Sequence, residues 1–152
     1  MGCYIAAVRV VLDTSVLVAG LRSRNGASFA LLRLVRDGKV VPLVTIGLFL
    51  EYEDVLKRPG QLEASGMTPD LIDRFLGALA ALAEPVEVHL RWRPQLRDAG
   101  DELVLEAAVN GRAGALVTHN VRDFRGAAER FGLDLTTPGD LLAGHPDWRA
   151  SS

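Results

Sequence analysis

The segment that most constrains the fold is a short apolar run near the amino terminus, which ends abruptly at an acid. Val8–Leu12 reads VRVVL, and Asp13 follows it directly. An apolar run of this length between polar residues is typical of a strand buried on both faces, as in the middle of a parallel sheet. Asp13 would then stand at the carboxyl end of a central strand, where open α/β sheets place their ligand sites.

The size and composition of the chain indicate one globular domain. Its 152 residues are enough for a single domain with a substantial core and too few for two ordinary ones. Apolar residues make up 49% and charged residues 24%, which is typical of a folded chain rather than a disordered one. We therefore predict a single domain over residues 1–143, followed by a carboxyl-terminal tail over residues 144–152.

Charge and cysteine content bear on partners and location. Seventeen basic and nineteen acidic residues give a net charge of −2, so the overall charge does not point to a nucleic-acid binder. Cys3 is the only cysteine, which excludes an intramolecular disulfide and a cysteine-based zinc site. The start of the chain lacks the pattern of a secretory signal, and no apolar stretch approaches the ~20 residues of a membrane helix. We expect a cytoplasmic protein without membrane contact.

Further along the chain, helical patterns alternate with short strands, as in an α/β fold. Helices are predicted where apolar residues recur at helical spacing, and strands where short apolar runs lie between turn residues. Pro42 in the second strand predicts a late strand start or a position at the sheet edge. The predicted strands are 8–12, 40–45, 86–90, 115–118 and 133–136. The predicted helices are 13–21, 28–37, 46–58, 69–83, 101–110, 127–131 and 138–142, with loops at 61–67, 91–100 and 119–124.

Four acids occupy comparable places in this pattern. Asp13 ends the first strand, Asp101 begins a helix, and Asp123 lies in the loop after a later strand. On the helix after the second strand, Glu51 lies nearer the apolar stripe than Glu53 does, but the small difference leaves both open. Any one of these acids alone would be explained as a helix cap, a turn residue or a solvated surface group.

The joint placement of the acids points to metal chemistry. The carboxyl ends of parallel strands meet at one rim of a sheet, so the four carboxylates are predicted to converge. Carboxylates held together raise one another's pKa unless a cation is bound, which makes such a cluster costly as mere structure. All-oxygen ligation, without cysteine or a histidine pair, favours Mg²⁺ or Mn²⁺ over zinc. Such ions usually act on phosphate esters, where they activate a water and stabilise the leaving oxygen.

Four short motifs, taken together and in this order, resemble those of the PIN-domain ribonucleases. They are Asp13-Thr14-Ser15, Leu50-Glu51-Tyr52 ahead of Arg58-Pro59, Leu96-Arg97-Asp98 with Asp101, and Leu116-Val117-Thr118 with Asn120 and Asp123-Phe124. The similarity runs from about Val8 to Leu142 and is strongest to the branch that contains toxin components of bacterial toxin–antitoxin pairs. It implies a three-layer α/β/α sandwich with a mainly parallel central sheet. It also implies a Mg²⁺- or Mn²⁺-dependent endonuclease that hydrolyses phosphodiester bonds in RNA.

The resemblance also implies roles for individual residues. The residues that bind metal and perform catalysis would be Asp13, Glu51, Asp101 and Asp123. Asp98 would be a further metal ligand, and the hydroxyls of Ser15 and Thr118 would support the carboxylates, together with Asn120. Many relatives have aspartate where this chain has Asn120, and the missing charge leaves open whether one or two ions bind.

Basic residues near the rim are candidates for contacts with RNA phosphates, because a guanidinium group can donate two hydrogen bonds to one phosphate. They are Arg22, Arg24, Arg97, Arg122 and Arg125. Trp92 is a candidate for stacking on a base, whereas His119 is given no part in the chemistry. As partners, the resemblance implies the RNA substrate, an inhibitory antitoxin protein and a second copy of the chain in a homodimer.

Three other classes of protein compete with this hypothesis. A catalytically weak or inactive PIN-like module would keep the fold and bind RNA or protein without metal-dependent cleavage. A receiver-type signalling domain needs a lysine at a late strand end, and this chain has no lysine after Lys57. A phosphatase of the haloacid type would need an aspartate at position 15, where Ser15 stands. The ribonuclease is therefore the leading hypothesis, and the binding module is its alternative.

Overall fold

A parallel sheet forms the centre of the molecule. Within residues 7–151, which the computed structural model describes, five strands pair in parallel in the order β3-β2-β1-β4-β5. The strands are β1 (Val8–Leu12), β2 (Val40–Val44), β3 (Glu84–Pro85), β4 (Ala115–Val117) and β5 (Leu135–Thr136). Cys3 lies outside the described residues, as does the start of the chain.

Helices cover both faces of this sheet, and the predicted three-layer α/β/α sandwich is confirmed. The helices are α1 (Thr14–Arg22), α2 (Ala27–Arg36), α3 (Ile46–Leu56), α4 (Pro59–Ser65), α5 (Pro69–Leu82), α6 (Ala99–Asn110), α7 (Val121–Phe131) and α8 (Pro138–Ala143). Among the described residues, no helix is both long enough and apolar enough to cross a membrane.

The strand β1 lies at the centre of the sheet because both of its faces are apolar. Val10, Val11 and Leu12 have no exposed surface. Arg9 is the polar residue of the strand, and its guanidinium reaches the Glu84 carboxylate and donates to the carbonyl of Gly111 at 2.9 Å. The charge is therefore satisfied at the margin of the core, and the apolar stem of the side chain can pack against the sheet.

The order of the strands reverses direction between β1 and β4. After β1 the chain adds β2 and β3 on one side, then crosses to the other side and adds β4 and β5. Open α/β sheets bind ligands at the carboxyl ends of the strands at such a reversal. Asp13 follows β1 and Thr118 follows β4, so both residues stand at this position.

Side chains at the helix starts fix where several helices begin. Thr45 Oγ1 accepts a hydrogen bond from the Leu48 N–H at 3.0 Å and so caps α3. The Asp98 carboxylate accepts from the N–H groups of residues 100 and 101, at 2.7 and 3.1 Å. Because Asp98 is the cap, α6 begins at Ala99, two residues before the start predicted from the sequence.

The prediction of a strand over residues 86–90 is wrong. The Val86 N–H still donates to the Val44 carbonyl at 3.0 Å, but the strand itself ends at Pro85. The N–H groups of His89 and Leu90 instead donate to Asn110 Oδ1, at 2.8 and 2.7 Å. The alternating sequence pattern predicts that these N–H groups pair with a neighbouring strand, but a side-chain amide satisfies them instead.

Two segments predicted as loops are helical. Residues 59–65 form α4, with Pro59 in its first turn and Gly66 closing it at a left-handed φ of 70°. The last long helix, α7, begins at Val121 and not at residue 127, because the apolar face that includes Phe124 starts earlier. Asp123 therefore lies in the first turn of a helix and not in a loop.

Pro42 does not mark a late strand start, but it stands where β2 is unpaired on one side, as at an edge of the sheet. The strand β2 begins at Val40 and lies between β1 and β3. Its pairing with β3 begins only at Leu43, so the missing N–H of Pro42 removes no ladder hydrogen bond on that side.

The end of the chain, predicted as a tail, folds onto the domain. Residues Pro146–Ser151 form a 3₁₀ helix. Trp148 is only 8% exposed and stacks on His145, with ring centroids 4.1 Å apart. The burial of one aromatic ring orders this segment, a contact that its polar composition did not indicate.

Candidate active site

A cleft of about 640 Å³ opens at the point where the strand order reverses. Four carboxylates line it: Asp13, Glu51, Asp98 and Asp101. They come from the end of β1, the middle of α3 and the start of α6, so separate parts of the chain supply them. Four of the five acids predicted for the site therefore share one cleft, and Asp123 is the one outside its lining.

Asp13 is the most enclosed of these acids, with 4% of its surface exposed. Its Oδ2 atom accepts hydrogen bonds from the hydroxyls of Ser15 at 2.7 Å and Thr118 at 2.6 Å. The side chain makes no capping hydrogen bond to α1, although Asp13 occupies the cap position. The common explanation of such an aspartate as a helix cap therefore fails, because the carboxylate is held towards β4 instead.

The two hydroxyls that hold Asp13 are themselves oriented by backbone groups. The Asn120 N–H donates to Thr118 Oγ1 at 2.9 Å, and the His119 N–H donates to Ser15 Oγ at 3.3 Å. Each hydroxyl thus receives one hydrogen bond and directs its own proton to Asp13. This network fixes the orientation of the carboxylate from the turn after β4.

Glu51, and not Glu53, is the α3 carboxylate on the cleft. Glu53 instead pairs with Lys57 Nζ at 3.2 Å. Burial raises the pKa of Glu51, and the negative charge of Asp54 adds to this rise. A carboxyl group in such surroundings gains from a cation that neutralises it.

Gly100 provides the space that the Glu51 carboxylate occupies. A Cβ atom at position 100 would lie 2.5 Å from Glu51 Oε1 and 3.0 Å from Asp98 Oδ1. The absence of a side chain is therefore required for the present arrangement of two of the acids. Sequence reasoning missed this role, because nothing in the local sequence indicates which residue packs against a glycine.

The carboxyl group of Asp101 experiences the combined charge of the other acids. Burial is the largest cause that raises the pKa of Asp101, and together with the negative charges of the other acids it brings that pKa to about 6; these acids are Asp13, Asp98, Asp123 and Glu51. Asp123 is exposed on the first turn of α7, so it acts on Asp101 through its charge although it does not line the cleft. Each of the other predicted acids therefore lies near enough for its charge to act on the Asp101 carboxyl group.

The donor set has the chemistry of a site for a hard divalent cation. Carboxylate oxygens are the ligands that Mg²⁺ and Mn²⁺ prefer, and their mutual repulsion is relieved when a cation binds. Within residues 7–148, however, no three His, Cys, Asp or Glu side chains form a ready-made metal-binding group. Ion binding would therefore require the carboxylates to approach one another more closely than they do in this structure.

The basic residues predicted to contact phosphate fall into two groups. Arg22 lines the cleft, and its guanidinium donates to Gln61 Oε1 at 3.0 and 2.7 Å. The other four of these predicted residues are exposed and lie outside the cleft lining: Arg24, Arg97, Arg122 and Arg125. Arg58 also lines the cleft, and the sequence analysis did not include it among the phosphate contacts. It follows Glu51 by seven residues, about two helical turns, a spacing that favours the same side of the helix.

Two aromatic side chains near the site make contacts that the sequence did not indicate. Trp92 packs against Phe131, with ring centroids 4.8 Å apart, and part of its surface is therefore covered. His119 lines the cleft, and its Nε2 lies 2.6 Å from the hydroxyl of Ser28, a buried residue. Sequence alone could not reveal this contact, because it joins residues 91 positions apart.

Substitution of Asp101 by asparagine is expected to stabilise the metal-free protein at neutral pH. The folded chain holds the Asp101 proton up to about pH 6, whereas the unfolded chain releases it near the ordinary pKa of 3.8. The stability of the wild-type chain therefore falls as the pH rises through this interval, and the amide avoids that loss. Because the side chain is partly hydrated, we expect a gain of only about 1 kcal/mol, or roughly 2–4 °C in Tm.

Thermal unfolding in EDTA at neutral pH and near pH 4 measures this effect. Most of the gain should disappear near pH 4, where the folded wild-type chain holds the Asp101 proton and the unfolded chain already holds it in part. Asp134→Asn removes the same charge from an exposed acid outside the cleft, and it should change stability by at most about 0.5 kcal/mol. A lower Tm for Asp101→Asn at neutral pH would contradict the expected repulsion.

Comparison with known proteins adds one positive finding. Residues 9–122 match the family model described as "PIN domain". The match covers most of the chain and includes every acid of the cleft lining, whereas Asp123 lies just beyond it. Neither the curated proteins nor the solved structures gave a match.

Proposed function

The chain belongs to the PIN-domain family, and from this premise we propose that it is a Mg²⁺- or Mn²⁺-dependent endoribonuclease. PIN domains are typically nucleases, which supports hydrolysis of a phosphodiester bond as the reaction class. The observation that carries the proposal is the setting of Asp13. It is buried at the strand reversal, oriented by two hydroxyls and accompanied by three further carboxylates on the same cleft.

The proposed metal ligands are the four carboxylates of the cleft lining. A divalent ion bound there would supply the activation of a water molecule and the neutralisation of the phosphate charge. Asp13 would be the central ligand, because its orientation is fixed before any ion arrives. Glu51 and Asp101, whose pKa values are raised, would be stabilised in their ionised form by the cation and would orient the attacking water.

Asp123 and Asn120 would act on the α7 side of the cleft. Asp123 is near enough to raise the pKa of Asp101, so its charge also favours a cation beside that residue. We assign it to a second ion or to the positioning of water. Asn120 contributes a neutral amide to the lining, which lowers the charge available to a second ion.

The walls of the cleft offer two cations for the phosphates that flank the scissile bond. Arg22 and Arg58 both line it, and each guanidinium is already held in place, by Gln61 and Asp54 respectively. An arginine held in this way loses less conformational entropy when it contacts phosphate. Phosphates of the RNA further from the cleft would be contacted by the four exposed arginines outside its lining, Arg24, Arg97, Arg122 and Arg125.

The role as the toxin of a toxin–antitoxin pair is a finer proposal. It is supported by the order of the four sequence motifs, which resemble those of the toxin branch. The protein would then act on RNA in the cytoplasm, form a homodimer and be inhibited by an antitoxin protein that covers the cleft.

A catalytically inactive binding module is the second candidate function. Two observations favour it: the carboxylates are not gathered into a ready-made metal-binding group, and the amide of Asn120 replaces a charge on the cleft wall. Such a module would bind RNA or protein with the same fold and would show no metal-dependent cleavage.

Cleavage of a mixed RNA pool by the purified protein, with Mg²⁺, Mn²⁺ or EDTA, tests the proposed function. We expect internal cleavage with either ion and a loss of at least about 100-fold in EDTA, because the carboxylates alone supply neither Lewis acid nor activated water. Excess ion added after EDTA should restore the activity. Cleavage that persists in EDTA would contradict the proposal, and absence of cleavage with every ion would favour the binding module.

A further inference from the structure

Three arginines are neighbours in the chain of the two rings that meet between the loop before α6 and the end of α7. Trp92 in the loop lies against Phe131 in the helix, with ring centroids 4.8 Å apart. Arg91 and Arg93 flank the first ring in the chain, and Arg130 precedes the second. Because neighbouring Cα atoms are only about 3.8 Å apart, the three arginines start from one small area of the surface. We call Arg91, Arg93 and Arg130 the arginine patch.

The scaffold holds the loop that carries two of these arginines. On one side, the Leu90 N–H donates to Asn110 Oδ1 at 2.7 Å. On the other side, the N–H groups of Gln95 and Leu96 both donate to the Glu102 carboxylate. The loop is therefore tied to two positions of α6, and residues 91–93 lie between these ties. A binding surface on such a loop is organised before its ligand arrives.

The positive charges of the patch are exposed and are not neutralised by neighbouring acids. In the part of the chain that the structure describes, none of the three guanidinium groups takes part in a hydrogen bond or an ion pair. By contrast, Arg9 and Arg58 each pair with a carboxylate. The whole chain has a net charge of −2, and the three arginines of the patch lie outside the lining of the acidic cleft. Three exposed arginines without a carboxylate partner favour an anionic ligand at the patch.

The patch is continuous with the cleft along two elements. The loop that carries Arg91 and Arg93 runs on to Asp98, which lines the cleft. The helix that carries Arg130 starts beside Asn120, which also lines it. Arg130 lies about 14 Å along the helix axis from that start, a distance that several nucleotides of an extended strand can cover.

We propose that the arginine patch is a second RNA-binding surface, which holds the phosphates of a single strand that extends from the cleft. This inference rests on the proposed function and adds three residues to the predicted phosphate contacts. Arginine fits the task because its planar group contacts phosphates and also stacks on unpaired bases. The partly exposed rings of Trp92 and Phe131 offer further surface for a base. The surface would set a minimum length of RNA that the protein binds well.

Binding of a labelled single-stranded RNA of about 20 nucleotides to the full chain in EDTA tests the proposal. EDTA prevents metal-dependent cleavage, and it leaves the cleft carboxylates negative, so the measured affinity reports mainly on cations outside the cleft. The test variant is Arg91→Ala/Arg93→Ala/Arg130→Ala. The matched control is Arg33→Ala/Arg36→Ala/Arg74→Ala, which removes the same charge from exposed positions on α2 and α5.

The test variant should bind this RNA at least about tenfold more weakly, and the control should stay within about twofold of the wild type. The slope of log affinity against log salt should fall by about 2 in the test variant, the value for three lost phosphate contacts on a single strand. An RNA of about 4 nucleotides, too short to cover the whole patch and the strand beyond it, should bind the wild type more weakly than the longer RNA does. Circular dichroism confirms that each variant is folded.

Three results would overturn the inference. Equal weakening in the test and control variants would mean that only net charge matters, and unchanged affinity in both would mean that the patch does not contact RNA. Polyglutamate that binds as tightly as RNA and depends equally on the patch would indicate an acidic protein partner. Because binding is measured without cleavage, a protein that proves catalytically inactive but loses RNA affinity in the test variant would refute the nuclease function alone.

Discussion

Asp13→Asn is expected to lower metal-dependent RNA cleavage by a factor on the order of 10³ or more. The amide keeps the shape of the carboxylate, and its oxygen can still accept from Ser15 and Thr118, so the fold should survive. It removes the negative charge at the most enclosed position of the cleft, where no other side chain can replace it. Initial rates of cleavage with saturating Mn²⁺ measure the effect.

The neighbouring hydroxyls provide graded controls for this substitution. Ser15→Ala and Thr118→Val each remove one hydrogen bond to Asp13 and should lower the rate by about 10- to 100-fold, as loss of a supporting group at a metal site usually does. Asp134→Asn, prepared in the same way, should keep full activity and reveals any contaminating nuclease. Wild-type rates from Asp13→Asn would refute the central role of this residue.

The same substitution tests the toxin role in living cells. Expression of the wild-type chain should arrest growth, and expression of Asp13→Asn to the same level should not. Arrest by both forms would indicate toxicity unrelated to cleavage and would count against the toxin proposal.

Gly100→Ala is expected to lower cleavage by about 10- to 100-fold while leaving the fold intact or slightly more stable. The added methyl group would overlap the Glu51 carboxylate, whose Oε1 lies 2.5 Å from the position of the new Cβ. Glu51 is flexible at its far end, so it can move aside at small energetic cost, but it then leaves its place on the cleft. Activity and Tm should therefore change independently, which a general structural defect would not produce.

Gly126→Ala is the matched control for this prediction. It makes the same substitution within α7, where a Cβ would meet no atom within 4 Å. It should give a similar or larger gain in helix stability, up to about 1 kcal/mol, with unchanged cleavage. Equal activity of Gly100→Ala and Gly126→Ala would mean that the exact position of Glu51 is unimportant.

The central strand and the convergence of the acids could be predicted because both depend on strong, general rules. An apolar run with a polar end specifies a buried strand, and parallel strands bring their carboxyl ends to one rim. That rule holds for Asp13; Asp101 shares its cleft from 88 positions away, although the strand predicted over residues 86–90 ahead of it does not form. To choose between Glu51 and Glu53 as the cleft residue, one must know how α3 is rotated about its axis relative to the sheet. The amphipathic pattern of the sequence does not define that rotation precisely enough.

The features that could not be predicted depend on single long-range contacts. Asn110 replaces a neighbouring strand for residues 89 and 90, and the alternating pattern there resembles that of a true strand. Likewise, Ser28 holds His119 from a distant helix, and Trp148 orders the chain end by filling one site. Such contacts follow from the finished packing of the domain, and no local pattern in the sequence encodes them.

The two outermost strands, β3 and β5, have only two residues each, and β3 ends in Pro85. A short border with a proline offers few free backbone groups, so another chain has little to pair with there. Growth of the sheet by strand addition is therefore disfavoured at both margins. A second copy or an inhibitory protein would have to associate through side chains on the helices, which makes recognition dependent on surface residues rather than on backbone pairing.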